Sequence, residues 1–166
     1  MDTFSPKKRS DIMRLVHSKN TTPEMKVRSL LHCLGFRFRL HRKDLPGNPD
    51  IVLPKHSAVV FVHGCFWHRH TGCSQASTPA IRQDYWLPKF KRTVERDRQS
   101  QKELSQLGWN VLVVWECELR DKDRLAERLK NAIAAPQSLY FQHSPIFQIA
   151  AETQETYRRN KTKNEF

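Results

Sequence analysis

The sequence predicts an α/β domain whose central sheet is flanked by helices, and three observations carry that prediction. Two uninterrupted apolar runs, Ala58 to Val62 and Val111 to Trp115, are too short for independent helices and are dominated by Val, the composition of strands covered on both faces. Between them, Phe90, Val94, Asp97, Gln101 and Leu104 fall at alternating spacings of four and three, one face of a helix. After the first run, Gly64 ends the strand and opens a knot that holds Cys65, His68, His70 and Cys73.

Composition sets the bounds. With 166 residues and 38% hydrophobic content, the chain can bury the core of one domain and is short for two. A net charge of +12 and a pI near 9.9 exceed what solubility needs and point to a polyanion, with nucleic acid the first candidate. From Lys7 to Lys43 there are eleven Lys or Arg against Asp11 and Glu24 alone, so a basic N-terminal face is expected. No run approaches the ~20 apolar residues of a membrane span, and no signal-peptide pattern opens the chain, so a cytoplasmic protein is expected. In that reducing compartment, clustered cysteines bind metal more readily than they form disulfides.

Taken in order, residues 1–20 read as a basic segment with a short amphipathic helix anchored by Ile12, Met13, Leu15 and Val16. Thr21-Thr22-Pro23-Glu24 is a helix start, and Val27, Leu30, Leu31 and Leu34 form its apolar stripe up to Gly35. Cys33 in this helix reads as a small buried hydrophobe. Glu24 shares the face of Val27 and Leu31, so it either boxes the cap with Thr21 or points toward something at the edge of the core. Phe36 to Leu40 alternates apolar and basic residues like a half-exposed edge strand. Leu45-Pro46-Gly47-Asn48-Pro49 is a rigid turn, and Asp50 follows it at the mouth of the strand Ile51-Val52-Leu53.

Thr78-Pro79 is expected to open the long helix that carries Tyr85 and Trp86, with Pro88 restarting or kinking it, and Gly108 stops it. Asp97 lies on the inward stripe of that helix. A carboxylate there needs a partner, either a nearby metal or site or a rim arginine, Arg96 or Arg98. Asp123 to Ala134 makes a last amphipathic helix, so the domain is expected to span 21–135, and residues 136–166 read as a polar, loop-like, partly disordered tail.

The helix between the two buried strands implies a parallel crossover, and parallel neighbours end on the same edge of the sheet. Cys65 lies two residues past His63 and Cys117 two past Trp115, so both cysteines should leave that edge together. Cys65, Cys73 and Cys117 then supply three thiolates, and one of His63, His68 and His70 completes a closed, structural zinc site. His70 is favoured by its His-x-x-Cys spacing with Cys73. Phe66 and Trp67, inside a metal-clamped turn, suit an outward role such as stacking on bases. Phosphodiester hydrolysis needs a cation and a base, and Asp50 suits hard Mg²⁺.

Leu45-Pro-Gly-Asn-Pro-Asp50, Val62-His-Gly-Cys-Phe-Trp-His68, Trp86, Val94-Glu-Arg-Asp-Arg98 and Gly108-Trp with Val114-Trp-Glu-Cys117 resemble the very short patch repair (Vsr) DNA mismatch endonucleases over residues 7 to 134. The resemblance implies a restriction-endonuclease-like fold with a mixed central sheet, and nicking of duplex DNA 5′ to the thymine of a T·G mismatch left by deamination of 5-methylcytosine. It implies Asp50 as the central Mg²⁺ ligand with the Val62 backbone carbonyl beside it, and His68 as the base that activates water. Glu24, His63 and Asp97 would support the metal-water shell. Zinc would be held by Cys65, His70, Cys73 and Cys117. Phe66, Trp67 and Trp86 match aromatics that wedge into the duplex, and Met13 matches a minor-groove wedge. The implied partners are T·G-containing DNA, a functionally linked DNA cytosine-5 methyltransferase and mismatch-repair proteins, with the chain acting as a monomer. Two rival readings are a zinc-containing DNA-binding module without catalysis and a nicking nuclease of the same fold without mismatch preference.

Overall fold

The buried strands of the computed structural model, which describes residues 7–8 and 19–134, are the apolar runs of the sequence. Helix α1 (Thr22–Cys33) leads to β1 (Arg39–Leu40), β2 (Ile51–Leu53) and β3 (Ala58–His63). Helix α2 (Gln83–Gln106), β4 (Asn110–Trp115) and α3 (Lys122–Ala134) complete the order. The sheet runs β1-β2-β3-β4, with the first two pairings antiparallel and β3/β4 parallel, so it is mixed.

Alternation along the strands divides the core in two. Ile51, Leu53, Ala58, Val60, Leu112 and Val114 face α1 and α3, which contribute Val27, Leu31, Leu125, Leu129 and Ile133. Val52, Val59 and Phe61 face the other way, against Leu104 of α2 and Leu45 of the loop before β2. Both faces are therefore covered, which is why β2 and β3 read as continuous apolar runs rather than alternating ones. Among the described residues, no helix is long and apolar enough to cross a membrane.

Three sequence expectations need correction. Cys33 is exposed, because it lies on the last turn of α1 beyond the buried Leu31 and faces away from the sheet. The edge strand is confined to Arg39–Leu40 rather than running from Phe36. The long helix begins at Gln83, not at Thr78, because Arg69 Nη2 donates to the Thr78 hydroxyl at 2.8 Å and Nη1 to the Ser77 carbonyl at 3.1 Å. That ties Thr78 to the cysteine knot instead of to a cap. Pro88 falls inside an unbroken α2. The expected N-terminal contact segment, apart from four of its residues, lies outside the described residues, as do Met13 and the tail.

Candidate active site and metal cluster

Asp50 is placed by the turn before it. Gly47 has φ +72, and a Cβ there would stand 2.6 Å from Ser100 Cβ on α2, so only glycine lets the turn close onto the helix. Pro49 is fully buried behind it, and the Val62 backbone N–H donates to Asp50 Oδ2 at 2.8 Å. Burial pushes the Asp50 carboxyl up to about 6, against the Val62 hydrogen bond and with help from the nearby Glu24 charge.

Both readings of Glu24 hold at once. Its N–H donates to Thr21 Oγ1 at 3.4 Å, and its carboxylate accepts from the Thr21 hydroxyl and the Asn20 N–H, each at 3.0 Å. It is also 3% exposed and lies with Asp50 and His41 in one group whose polar atoms fall within 4.8 Å of one another. Arg28, one turn on, donates through Nη2 to Glu24 Oε2 at 2.8 Å and stands 2.9 Å from His41 Nε2. Burial, then the Arg28 charge, lowers the pKa of His41.

A second group lies across the same cavity. His68 Nδ1 is 2.6 Å from Asp97 Oδ2, and His63 stacks on the His68 ring at 3.8 Å between centroids with 13° between planes. Burial works to raise the Asp97 carboxyl, but the hydrogen bond and charge of His68 outweigh it and hold the pKa below the usual value. Arg96 is a further partner at 3.5 Å, so the rim-pairing alternative for Asp97 is true as well, at longer range. Burial drops the His63 pKa to about 4, which keeps that ring neutral. A carboxylate bonded to Nδ1–H leaves Nε2 as the basic nitrogen of His68, the arrangement a general base requires. The cavity, about 1050 Å³, is lined by both groups together with Val62, Trp67 and the cations Lys19, Lys43, Lys89 and Arg96.

Beside it, the β3/β4 register pairs His63 with Trp115, so Cys65 and Cys117 leave the same edge, as the parallel crossover predicts. Cys65, His70, Cys73 and Cys117 offer ligand atoms within 4.8 Å of one another. His70 Nδ1 lies 3.6 Å from Cys65 Sγ and 3.3 Å from Cys117 Sγ. The S···N edge of a tetrahedral zinc site with ordinary bond lengths is roughly 3.5 Å, so the donor set fits that ion. Without a cation, burial pushes the Cys65 thiol up to about 12 and raises Cys117, while the Gln75 backbone N–H lowers Cys73. Trp115 lies flat on His70, 4.2 Å between centroids and 4° between planes.

The aromatics pack on one another, and Trp67 among them lines the cavity. Phe66 meets Trp67, Trp86 and Phe90 edge-on at 5.1 to 5.5 Å, and Lys89 Nζ lies 5.1 Å from the Trp67 ring centre. Within the turn that carries them, the His68 N–H bonds the Gly64 carbonyl at 3.1 Å and the His70 N–H the Cys65 carbonyl at 3.0 Å.

Comparison with known proteins gives the family. The family described as DNA mismatch endonuclease Vsr matches residues 1–75. The type II nicking enzyme V.XorIIP of Xanthomonas oryzae pv. oryzae is 54% identical over 132 residues, covering 80% of this chain and 96% of its own length. The DNA mismatch endonuclease Vsr of Escherichia coli is 42% identical over 126 residues, covering 76% of this chain and 80% of its own. The chain belongs to the Vsr family. Among solved structures, the catalytic domain of the homing endonuclease I-Bth0305I covers 68% of the chain and 94% of its own length at a TM-score of 0.48 and 22% identity.

In this Vsr-type DNA endonuclease, Glu24, Asp50, Val62, His63, His68 and Asp97 line one cavity, and the four expected zinc ligands form one cluster. Asp97 and His63 reach the site through His68 rather than beside Asp50. Sequence reasoning missed Arg28, His41 and Trp115. Arg28 carried a legible signal, since it lies four residues beyond Glu24 on the buried face of α1. His41 is placed by the β1/β2 pairing and had none, whereas Trp115 was legible as the end of its strand but not as the ring that stacks on His70.

Proposed function

We propose that this Vsr-family endonuclease nicks duplex DNA 5′ to the thymine of a T·G mismatch arising from deaminated 5-methylcytosine. The observation that carries the reading is the single cavity shared by Asp50 and the His68–Asp97 pair, with Trp67 on its wall. Asp50 and the Val62 carbonyl would hold Mg²⁺, which supplies charge neutralisation at the phosphate and a polarised water. His68 would accept a proton from the attacking water at Nε2, while Asp97 holds the ring through Nδ1 and neutral His63 fixes its plane by stacking. The +12 charge supplies affinity for the phosphate backbone. Phe66, Trp67 and Trp86 supply selectivity, because a wobble pair costs less to unstack than a Watson–Crick pair. Cys65, His70, Cys73 and Cys117 would hold zinc, which would lock the turn that carries base and wedge. A DNA cytosine-5 methyltransferase is the functional partner, because it makes the 5-methylcytosine whose deamination leaves the mismatch, and mismatch-repair proteins complete the setting.

The test is a Mg²⁺ titration of nicking on duplexes that differ only in carrying a T·G or a matched pair. Mg²⁺-dependent nicking confined to the T·G duplex is expected. Equal nicking of both duplexes would leave a nicking enzyme without mismatch preference. Binding with no nicking at any Mg²⁺ concentration would leave a DNA-binding module.

A further inference from the structure

His41 lines the cavity beside Asp50 and has no part in the reading above. Leu40 pairs with Ile51, so the next residue meets Asp50, and the His41 N–H points to the Asp50 carbonyl at 3.4 Å. The His41 backbone is left-handed, φ +46, a conformation that a non-glycine residue keeps only when its surroundings hold it. The side chain is 18% exposed.

Arg28 decides what the ring can do. A guanidinium only donates, so its Nη2, 2.9 Å from His41 Nε2, makes that nitrogen an acceptor. A neutral imidazole that accepts at Nε2 carries its hydrogen on Nδ1. The same Nη2 is pinned by Glu24 Oε2 at 2.8 Å, so the assignment is held from both sides. One consequence is exclusion. Neither nitrogen has a lone pair to offer a cation, so His41 is not a metal ligand, although it groups with Glu24 and Asp50 within 4.8 Å. The other consequence is a donor: among the described residues, no acceptor is bonded to Nδ1.

We propose that His41 binds substrate, its Nδ1–H donating to a non-bridging oxygen of the DNA phosphate that enters the cavity beside Asp50. The inference rests on Asp50 marking the reaction centre. The ligand is an anionic phosphodiester oxygen, an acceptor that matches a polarised N–H. Arg28 behind the ring strengthens that donor, and the bond tightens as negative charge builds on the phosphate during hydrolysis.

The experiment is single-turnover nicking of a T·G duplex at saturating Mg²⁺ by the full chain, His41→Ala, His41→Gln and, as control, Asp50→Ala. Each is also run on duplexes with a phosphorothioate of Rp or Sp configuration at the scissile phosphate. His41→Ala is expected to slow nicking by about 10- to 100-fold, the loss typical of one hydrogen bond to a charged group, with DNA affinity and Mg²⁺ dependence little changed. His41→Gln, which can accept from Arg28 and still donate, is expected to recover most of the rate. Sulfur at one diastereomeric position should slow the wild type and leave His41→Ala unaffected. The Rp-to-Sp rate ratio is taken within each protein, so a loss of folded fraction cannot imitate that pattern. Unchanged nicking by His41→Ala, a large rise in the Mg²⁺ it needs, or an Rp-to-Sp ratio identical to wild type would each overturn the inference. Inactive Asp50→Ala beside fully active His41→Ala would sink only the role of His41, whereas full activity in both would sink the reaction centre itself.

Discussion

Asp97 comes from α2 and His68 from the turn after β3, 29 residues apart, yet a carboxylate oxygen and a ring nitrogen meet at 2.6 Å. A carboxylate can only accept, so it selects the Nδ1–H tautomer. An amide in its place can turn its NH₂ to the ring and stabilise the opposite one.

Asp97→Asn is therefore expected to lower single-turnover nicking of a T·G duplex by ~10²-fold or more, the penalty for a base held in the wrong tautomer. Binding measured by gel shift should be unaffected, because the basic surface is intact. Nicking within a few-fold of wild type would mean that Asp97 serves the fold through Arg96 instead.

Asp50 makes the opposite trade. Its carboxyl sits at about 6 in the fold against 3.8 in an unfolded chain, so above pH 6 the metal-free protein carries the cost of a buried charge. At about 1.4 kcal/mol per pH unit the gap amounts to roughly 3 kcal/mol, and it is relieved as pH falls from 6 to 3.8, where the fold binds the proton first. Asp50→Asn is expected to abolish nicking while raising the melting temperature of the metal-free protein at pH 7. His63 works the other way. With a pKa of about 4 in the fold against 6.5 outside it, the unfolded chain takes up the proton first and stability drops as pH falls through that range. The variant should therefore lose stability more steeply than wild type below pH 6, and thermal melts across pH 4 to 7 read both effects.

The four-residue cluster predicts one tightly held zinc per chain by elemental analysis of purified protein. Cys65→Ser and Cys117→Ser should lose the ion and the fold together, since a closed site contributes its binding energy to folding. Cys33→Ser should change neither, because Cys33 is exposed and outside the cluster. Protein purified without zinc, or zinc lost on Cys33→Ser, contradicts the assignment.

Trp67 is half-buried on the cavity wall, in contact with Phe66 and Lys89. Trp67→Ala is expected to reduce T·G nicking far more than it lowers the melting temperature, and to narrow the preference for T·G over matched duplex. A mutant that melts much earlier but discriminates normally would make Trp67 a packing residue.

Gly47→Ala is expected to destabilise by about 2 to 4 kcal/mol, combining a left-handed Cβ penalty with the collision at Ser100. Ser100→Gly in the same chain should recover the collision part alone, read by chemical denaturation. Full recovery would show that the φ +72 backbone carries no cost.

What the sequence disclosed divides along physical lines. Continuous apolar runs mark buried strands, so β2, β3 and β4 were legible, and counting two residues past each parallel strand placed Cys65 and Cys117 together. The helical period put Asp97 on an inward face and said that it needed a partner, but not which one. That contact is made across 29 residues and obeys no local period. The start of α2 was misread because Thr78 is a good cap in isolation, and the competitor for its hydroxyl, Arg69, is nine residues away. Arg28, His41 and Glu24 converge because β1 pairs with β2 beside α1, a tertiary fact with no signature in any one segment.

The turn from Gly64 to Cys73 is stiffened by its own backbone hydrogen bonds, and Trp67 and His68 are consecutive within it. On the proposed reading, the ring that probes the duplex and the base that cuts it therefore move as one lever. Where the stack resists the ring, the base is held back from the phosphate by the same displacement. Discrimination would then be expressed in the rate of strand scission more than in the strength of binding, and the enzyme would rest on matched duplex without nicking it.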